Sequence, residues 1–104
     1  MSSSTTLQYL KQAVRSDEAL ADLAEVTFQP LIDYDRAHQS DLLHTLNVFL
    51  RCGGNQSKTA QELFLHRSSL LYRLRRIEDL TGFDLWDNEQ RVLLQMCFLA
   101  YATD

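Results

Sequence analysis

Apolar residues in this 104-residue chain recur three and four positions apart, and no stretch of useful length alternates apolar with polar, so a core can form only by packing helix on helix. The clearest stripe is Leu42, Leu43, Leu46, Phe49 and Leu50, with Ser40 in the cap position before it and Gly53 and Gly54 as its stop. Upstream, LQYLKQAV places apolar residues at 7, 10 and 14, and SDEALADLAEVTF follows with Ser16 as cap and acids in its first turn. That second helix is expected to end near Thr27. Pro30, the only proline, is expected to punctuate the chain and open a further helix, PLIDYDRAHQ, with Leu31, Tyr34 and Ala37 facing inward. The small polar residues SSSTT at the start read as a frayed end or as a cut within a longer protein.

The hydrophobic content of 45% suits one small all-α domain of five or six helices with a single core. Residues 1–28 read as a helical linker and scaffold and 29–104 as the working domain, the two forming one compact unit. Cys52 and Cys97, 45 positions apart, read as free thiols of a reducing cytoplasm. The longest apolar stretch, VLLQMCFLAY, is about half a bilayer span, so no membrane association is expected. Asp87 and Gln90 resemble a capping box ahead of it, and its apolar character on more than one side suggests a covered partner surface. His38, His44 and His66 have no metal-ligand spacing, and no nucleophile with a base and orienting acid can be assembled. Neither a cofactor, a metal nor an enzymatic activity is expected.

Charge is distributed unevenly. Residues 1–50 carry a net −4, residues 51–76 set six cations (Arg51, Lys58, Arg67, Arg73, Arg75, Arg76) against Glu62 alone for +5, and residues 77–104 carry −5. A net charge of −4 therefore conceals a basic island that can steer a polyanion.

Within that island QSKTAQELF, a short turn, and RSSLLYRLRRIEDL ending at Gly82 read as two helices joined tightly. Ala60 is small enough for a close helix crossing, Leu65 is the expected apolar anchor of the turn, and Leu70, Leu74 and Ile77 form the buried stripe of the second helix. The remaining residues, His66, Arg67, Ser68, Ser69, Tyr72, Arg73 and Arg76, face outward with donors, hydroxyls and a ring, as a helix reading a DNA major groove requires. Ser57, Lys58 and Thr59, at the start of the first helix, are candidate phosphate contacts. Ser68 and Ser69 read equally as helix-start residues or base readers, and Tyr72 as edge packing or contact. Arg75 is expected to pair with Asp79.

GNQSKTAQELFLHRSSLLYRLRRI resembles the helix-turn-helix of Fis-like DNA-binding proteins at Asn55, Gln56, Ala60, Leu65, Arg67, Leu70 and Leu74. From about residue 20 to 102 the chain is similar to the carboxy-terminal domain of bacterial PucR-type regulators of purine catabolism and sugar diacid use, through PLIDYDRAHQSDLLHTLNVFLRCGGN, TAQELFLHRSSLLYRLRRIEDLTGFDL and the closing helix. The family's most specific marks stand here as His66, Arg67, Tyr72, Arg73 and Leu74. Where its pattern usually reads Asn-Thr-Leu-Arg-Tyr-Arg-Leu, this chain has Ser68, Ser69, Leu70, Leu71, Tyr72, Arg73 and Leu74. Leu71 thus replaces an arginine and either meets a thymine methyl or packs against a neighbour.

The resemblance implies a cytoplasmic transcription factor whose output end binds double-stranded DNA, with a recognition helix over about 67–80 and an upstream sensing domain; the broad apolar closing helix and the two-fold operators usual for this motif lead to the expectation of a homodimer. The competing reading is a helical interaction or dimerisation module that keeps the helix-turn-helix as scaffold.

Overall fold

Helical periodicity becomes six helices in the computed structural model, which describes residues 3–101, with side chains from Thr5: α1 (Ser3–Ser16), α2 (Glu18–His38), α3 (Leu42–Arg51), α4 (Gln56–Leu63), α5 (Arg67–Thr81) and α6 (Asn88–Tyr101). There is no strand among the described residues. The amino-terminal SSSTT was expected to fray, yet α1 already includes Ser3; Ser2 lies outside the described residues. Ser16 closes α1, its hydroxyl donating to the Gln12 carbonyl at 2.7 Å, so the expected cap of α2 passes to Asp17, whose carboxylate accepts from the Leu20 N–H at 2.9 Å.

The expected break near Thr27 does not occur. Helix α2 runs unbroken for 21 residues with Pro30 inside it. An internal proline forfeits one backbone hydrogen bond and costs about 3 kcal/mol. Ala24, Phe28 and Leu31 are completely buried on the same helix and Thr27 nearly so; about 1.5–3 kcal/mol for each large apolar side chain outweighs the break. Leu31 faces inward as expected and Tyr34 is half-buried, but Ala37 is exposed. The helix ends at Gln39, which takes the left-handed conformation (φ 50°) and donates its N–H to the Asp35 carbonyl.

Helix α3 is not capped by Ser40. Asp41 occupies the cap position without a side-chain bond. The donors of the first turn turn instead to Asp35 of α2, which accepts from the Leu42 N–H at 2.7 Å, the Leu43 N–H at 3.1 Å and the Ser40 hydroxyl at 2.6 Å. One carboxylate therefore fixes the corner between α2 and α3. Leu42, Leu46, Phe49 and Leu50 enter the core with Leu70, Leu74 and Ile77 of α5 and Leu94 and Cys97 of α6.

Gly53 and Gly54 end α3 in the left-handed region (φ 66° and 78°), and a Cβ on Gly54 would stand 2.9 Å from Nε of Arg91. Arg91 lies across that glycine and donates to the Leu85 carbonyl at 2.8 Å. The FDLWD connection is thereby part of the core, since Leu85 is completely buried and its N–H is held by Glu78 at 2.9 Å. Only half of the expected capping box forms: Asp87 accepts from the Gln90 N–H at 3.4 Å, whereas the Gln90 side chain accepts from the Asp84 N–H. Cys52 and Cys97 are free, and burial pushes the Cys97 thiol up. No helix among the described residues is long and apolar enough to cross a membrane.

Candidate nucleic-acid interface

Helix α4 starts where Asn55 turns its side-chain oxygen onto the Lys58 N–H at 2.9 Å. It ends after eight residues at Phe64, which takes φ 55° and stands 94% exposed. Leu65 then donates its N–H to the Ala60 carbonyl at 2.9 Å. The turn was expected to be anchored by Leu65, but Leu65 is only half-buried, and it is Leu63 that packs against the core cluster. Ala60 is buried at the crossing.

Helix α5 begins at His66, an extended cap residue that makes no side-chain cap bond. Leu70, Leu74 and Ile77 have no exposed surface, so the helix is pinned along one face and its rotation is set. That pinning determines what faces outward. His66, Arg67, Ser68, Ser69 and Tyr72 are exposed, while Arg73 and Arg76 are partly so. Since the cap is His66, the two serines lie in the first helical turn and neither is the cap.

The cations are held differently. Nη2 of Arg67 lies 3.4 Å from Oε1 of Gln56, which ties the start of α5 to the start of α4. Arg73 reaches back across the fold, donating from Nη1 to the Thr45 hydroxyl of α3 at 3.1 Å. Arg76 donates from Nη2 to the Tyr72 hydroxyl at 3.2 Å. That hydrogen bond, then the Arg76 charge, with Tyr34 contributing, lowers the Tyr72 phenol below its usual 10.0, and Tyr72 in turn raises Arg76. Tyr72 is 57% exposed with its ring centroid 5.7 Å from the Arg76 guanidinium carbon, so it stands at the edge of the motif and outside the core. Arg75 is exposed and makes no ion pair with Asp79; the Asp79 charge acts on Arg76 instead.

On α4, Ser57 and Lys58 are exposed, but Thr59 has no exposed surface and donates its hydroxyl to the Asn55 carbonyl at 2.7 Å. Its expected phosphate contact is corrected, because the hydroxyl serves the helix start from the inside. Leu71 is half-buried and lines a groove with Gln56, Arg75, Glu78, Asp84 and Trp86. A second cleft, of about 440 Å³, opens on the other flank of α5 between Tyr34, Ser40, Leu42, Ser68, Ser69, Tyr72 and Arg73. Glu78 and Asp84 with Arg75 therefore border one side of the helix, and hydroxyls with Arg73 the other. Sequence reasoning had no means of finding Thr45 and Gln56 as partners of Arg73 and Arg67, because those contacts span 28 and 11 residues. No group of three or more His, Cys, Asp or Glu among the described residues is placed to hold a metal.

The family of PucR C-terminal helix-turn-helix domains matches residues 42–100, which take in α3 to α5 and nearly all of α6. The purine catabolism regulatory protein of Bacillus subtilis (strain 168) is 38% identical over 79 residues, covering 76% of this chain and 15% of that protein. The carbohydrate diacid regulator of Escherichia coli (strain K12) is 36% identical over 89 residues, covering 85% of this chain and 22% of the regulator. A Bacillus subtilis (strain 168) protein named DNA-binding transcriptional activator AdeR is 33% identical over 66 residues, 64% of this chain and 16% of that protein. The chain thus spans less than a quarter of the length of these three relatives. No solved structure matches it. With the match extending over more than half its length and over every helix that builds the basic face, this chain belongs to the family of PucR C-terminal helix-turn-helix domains.

Proposed function

We propose that this chain binds double-stranded DNA in a sequence-specific way, as the output domain of a bacterial transcriptional regulator, with α5 in the major groove. The observation that carries the proposal is the pinning of α5. Three completely buried residues orient one face inward, which leaves Arg67, Ser68 and Ser69 at the exposed amino-terminal end and Arg73 and Arg76 further along. A recognition helix uses its first turns for base edges and its later cations for phosphates. Ser57 and Lys58, exposed at the start of α4, supply further backbone contacts. The names of the relatives support a regulatory role, and their greater length supports a sensing domain upstream in the whole protein, which acts in the cytoplasm.

Self-association belongs to the same proposal. Leu7 and Leu10 of α1, Leu23 and Val26 of α2, and Val92, Leu93 and Met96 of α6 expose between 37% and 71% of their surface. That much apolar surface suits a homodimer on a two-fold operator. It also supports the second reading, in which the helices form an interaction module and the basic face docks an acidic protein. Sedimentation at high concentration separates monomer from dimer.

Salt-titrated binding to duplexes, with selection of bound sequences from a random library, tests the main reading. Arg76→Ala is expected to weaken all duplexes alike and lower the slope of log affinity against log salt by about one. Arg67→Ala and Ser69→Ala are expected to change which sequences are preferred. No affinity at low salt refutes DNA binding; unchanged binding by both arginine variants refutes the assignment of the face.

A further inference from the structure

Arg76 lies within reach of two aromatic rings from two different helices. Its guanidinium carbon is 5.6 Å from the ring centroid of Tyr34 on α2 and 5.7 Å from that of Tyr72 on α5. Nη2 donates to the Tyr72 hydroxyl, and Tyr34 is itself stacked on His38 one turn further along α2, with ring centroids 4.2 Å apart. Tyr34 packs against the core, which restrains its ring. Asp79 is the acid whose charge reaches Arg76, and the two form no ion pair.

We infer that Tyr34 is a positioning residue for DNA binding: with Tyr72 it clamps the Arg76 guanidinium at the rim of the cleft between α2 and α5, making the carboxy-terminal end of α2 a third working element of the interface. The inference rests on the DNA-binding reading above. Physically, a long arginine in solution loses rotamer freedom when it meets a phosphate, and that loss opposes binding. Two aromatic faces and a hydroxyl that restrain the guanidinium beforehand reduce the loss, while most of its five N–H donors stay open to phosphate oxygens. Lysine cannot replace it, because an ammonium lacks the planar face and the fixed fork of donors.

The affinity of the full chain for a mixed-sequence duplex, titrated with salt, tests the clamp in wild type, Tyr34→Leu, Tyr34→Phe, Arg76→Lys and Arg76→Ala. Tyr34→Leu is expected to weaken binding about three- to tenfold with the salt slope unchanged, since no charge is removed. Tyr34→Phe, which retains a ring, should remain within about twofold of wild type. Arg76→Lys, on the solvent side of α5, tests the same contact without touching α2; it should lose affinity as Tyr34→Leu does and keep the slope. In an Arg76→Ala background, Tyr34→Leu should have no further effect, whereas a purely structural role would weaken both backgrounds equally. Wild-type binding with full affinity in both Tyr34→Leu and Arg76→Lys overturns the clamp alone, as does an equal effect of Tyr34→Leu with and without Arg76. Absence of binding by the wild type overturns the DNA reading and the clamp with it.

Discussion

Replacing Asp35 by alanine is expected to be among the most damaging single changes outside the apolar core. Its carboxylate accepts three hydrogen bonds, from the Ser40 hydroxyl at 2.6 Å and from the N–H groups of Leu42 and Leu43 at 2.7 and 3.1 Å. Those two N–H groups open α3, and Asp41 in the cap position offers them no side chain. Removing a helix cap costs about 1 kcal/mol, and leaving a buried donor without a partner costs about 1–3 kcal/mol. Leu42 is 2% exposed, so water is poorly placed to replace the lost acceptor. Together these terms come to about 2–4 kcal/mol, against a total stability of about 5–15 kcal/mol for a small domain. At roughly 4–8 °C per kcal/mol, Tm should fall by about 8–32 °C. Thermal and urea melts followed by circular dichroism near pH 7 measure this directly. Ser40→Ala is the control, since it removes one of the three bonds and should cost about 1 kcal/mol. A loss below about 0.5 kcal/mol for Asp35→Ala, or one no larger than that of Ser40→Ala, would refute the reasoning.

Two further outcomes are expected. Gly53→Ala and Gly54→Ala both force alanine into the left-handed region at about 1–2 kcal/mol, but only at Gly54 does the new Cβ press on Arg91, whose bond to the Leu85 carbonyl should then weaken; chemical denaturation should show Gly54→Ala to be worse by about 1 kcal/mol. Ultraviolet titration should find Tyr72 ionising below the usual phenol value, because the hydrogen bond from Arg76 and then its charge lower it, and Arg76→Ala should raise it again. Because folding lowers the Tyr72 phenol, its ionisation favours the folded chain. Its contribution appears only as pH rises toward the usual phenol range, where the folded state releases its proton first. An identical titration in Arg76→Ala would contradict the assignment.

The all-α class, the helix-turn-helix and the outward face of α5 were legible in the sequence because each depends on local spacing. Leu70, Leu74 and Ile77 recur on one helical face, so where they are buried the residues between them must be outside. The glycine stops were readable for a similar reason, as a residue without Cβ tolerates the backbone that ends a helix. Errors arose where a residue's role depends on a distant partner. Pro30 signalled a break on local grounds, yet the burial of Phe28 and Leu31 beside it carried α2 through.

Capping shows the same division. Asn55 was placed among the marks of the motif, and its cap bond reaches only three residues ahead. The cap of α3, by contrast, comes from Asp35, seven and eight residues before the N–H groups it binds and on another helix. Thr59 could not be distinguished from Ser57 by composition; only the packing of α4 turned one hydroxyl inward and left the other in solvent.

By itself, then, the sequence determined a helical domain, a basic island and the face of α5 available to a polyanion, since periodicity and charge are properties of neighbouring residues. Tertiary structure alone decided how the arginines on that face are held: Arg73 by Thr45 of α3, Arg67 by Gln56 of α4, and Arg76 between Tyr72 and the Tyr34 ring of α2. A guanidinium at the end of a long flexible chain has no position of its own, and it acquires one only from groups that folding brings beside it.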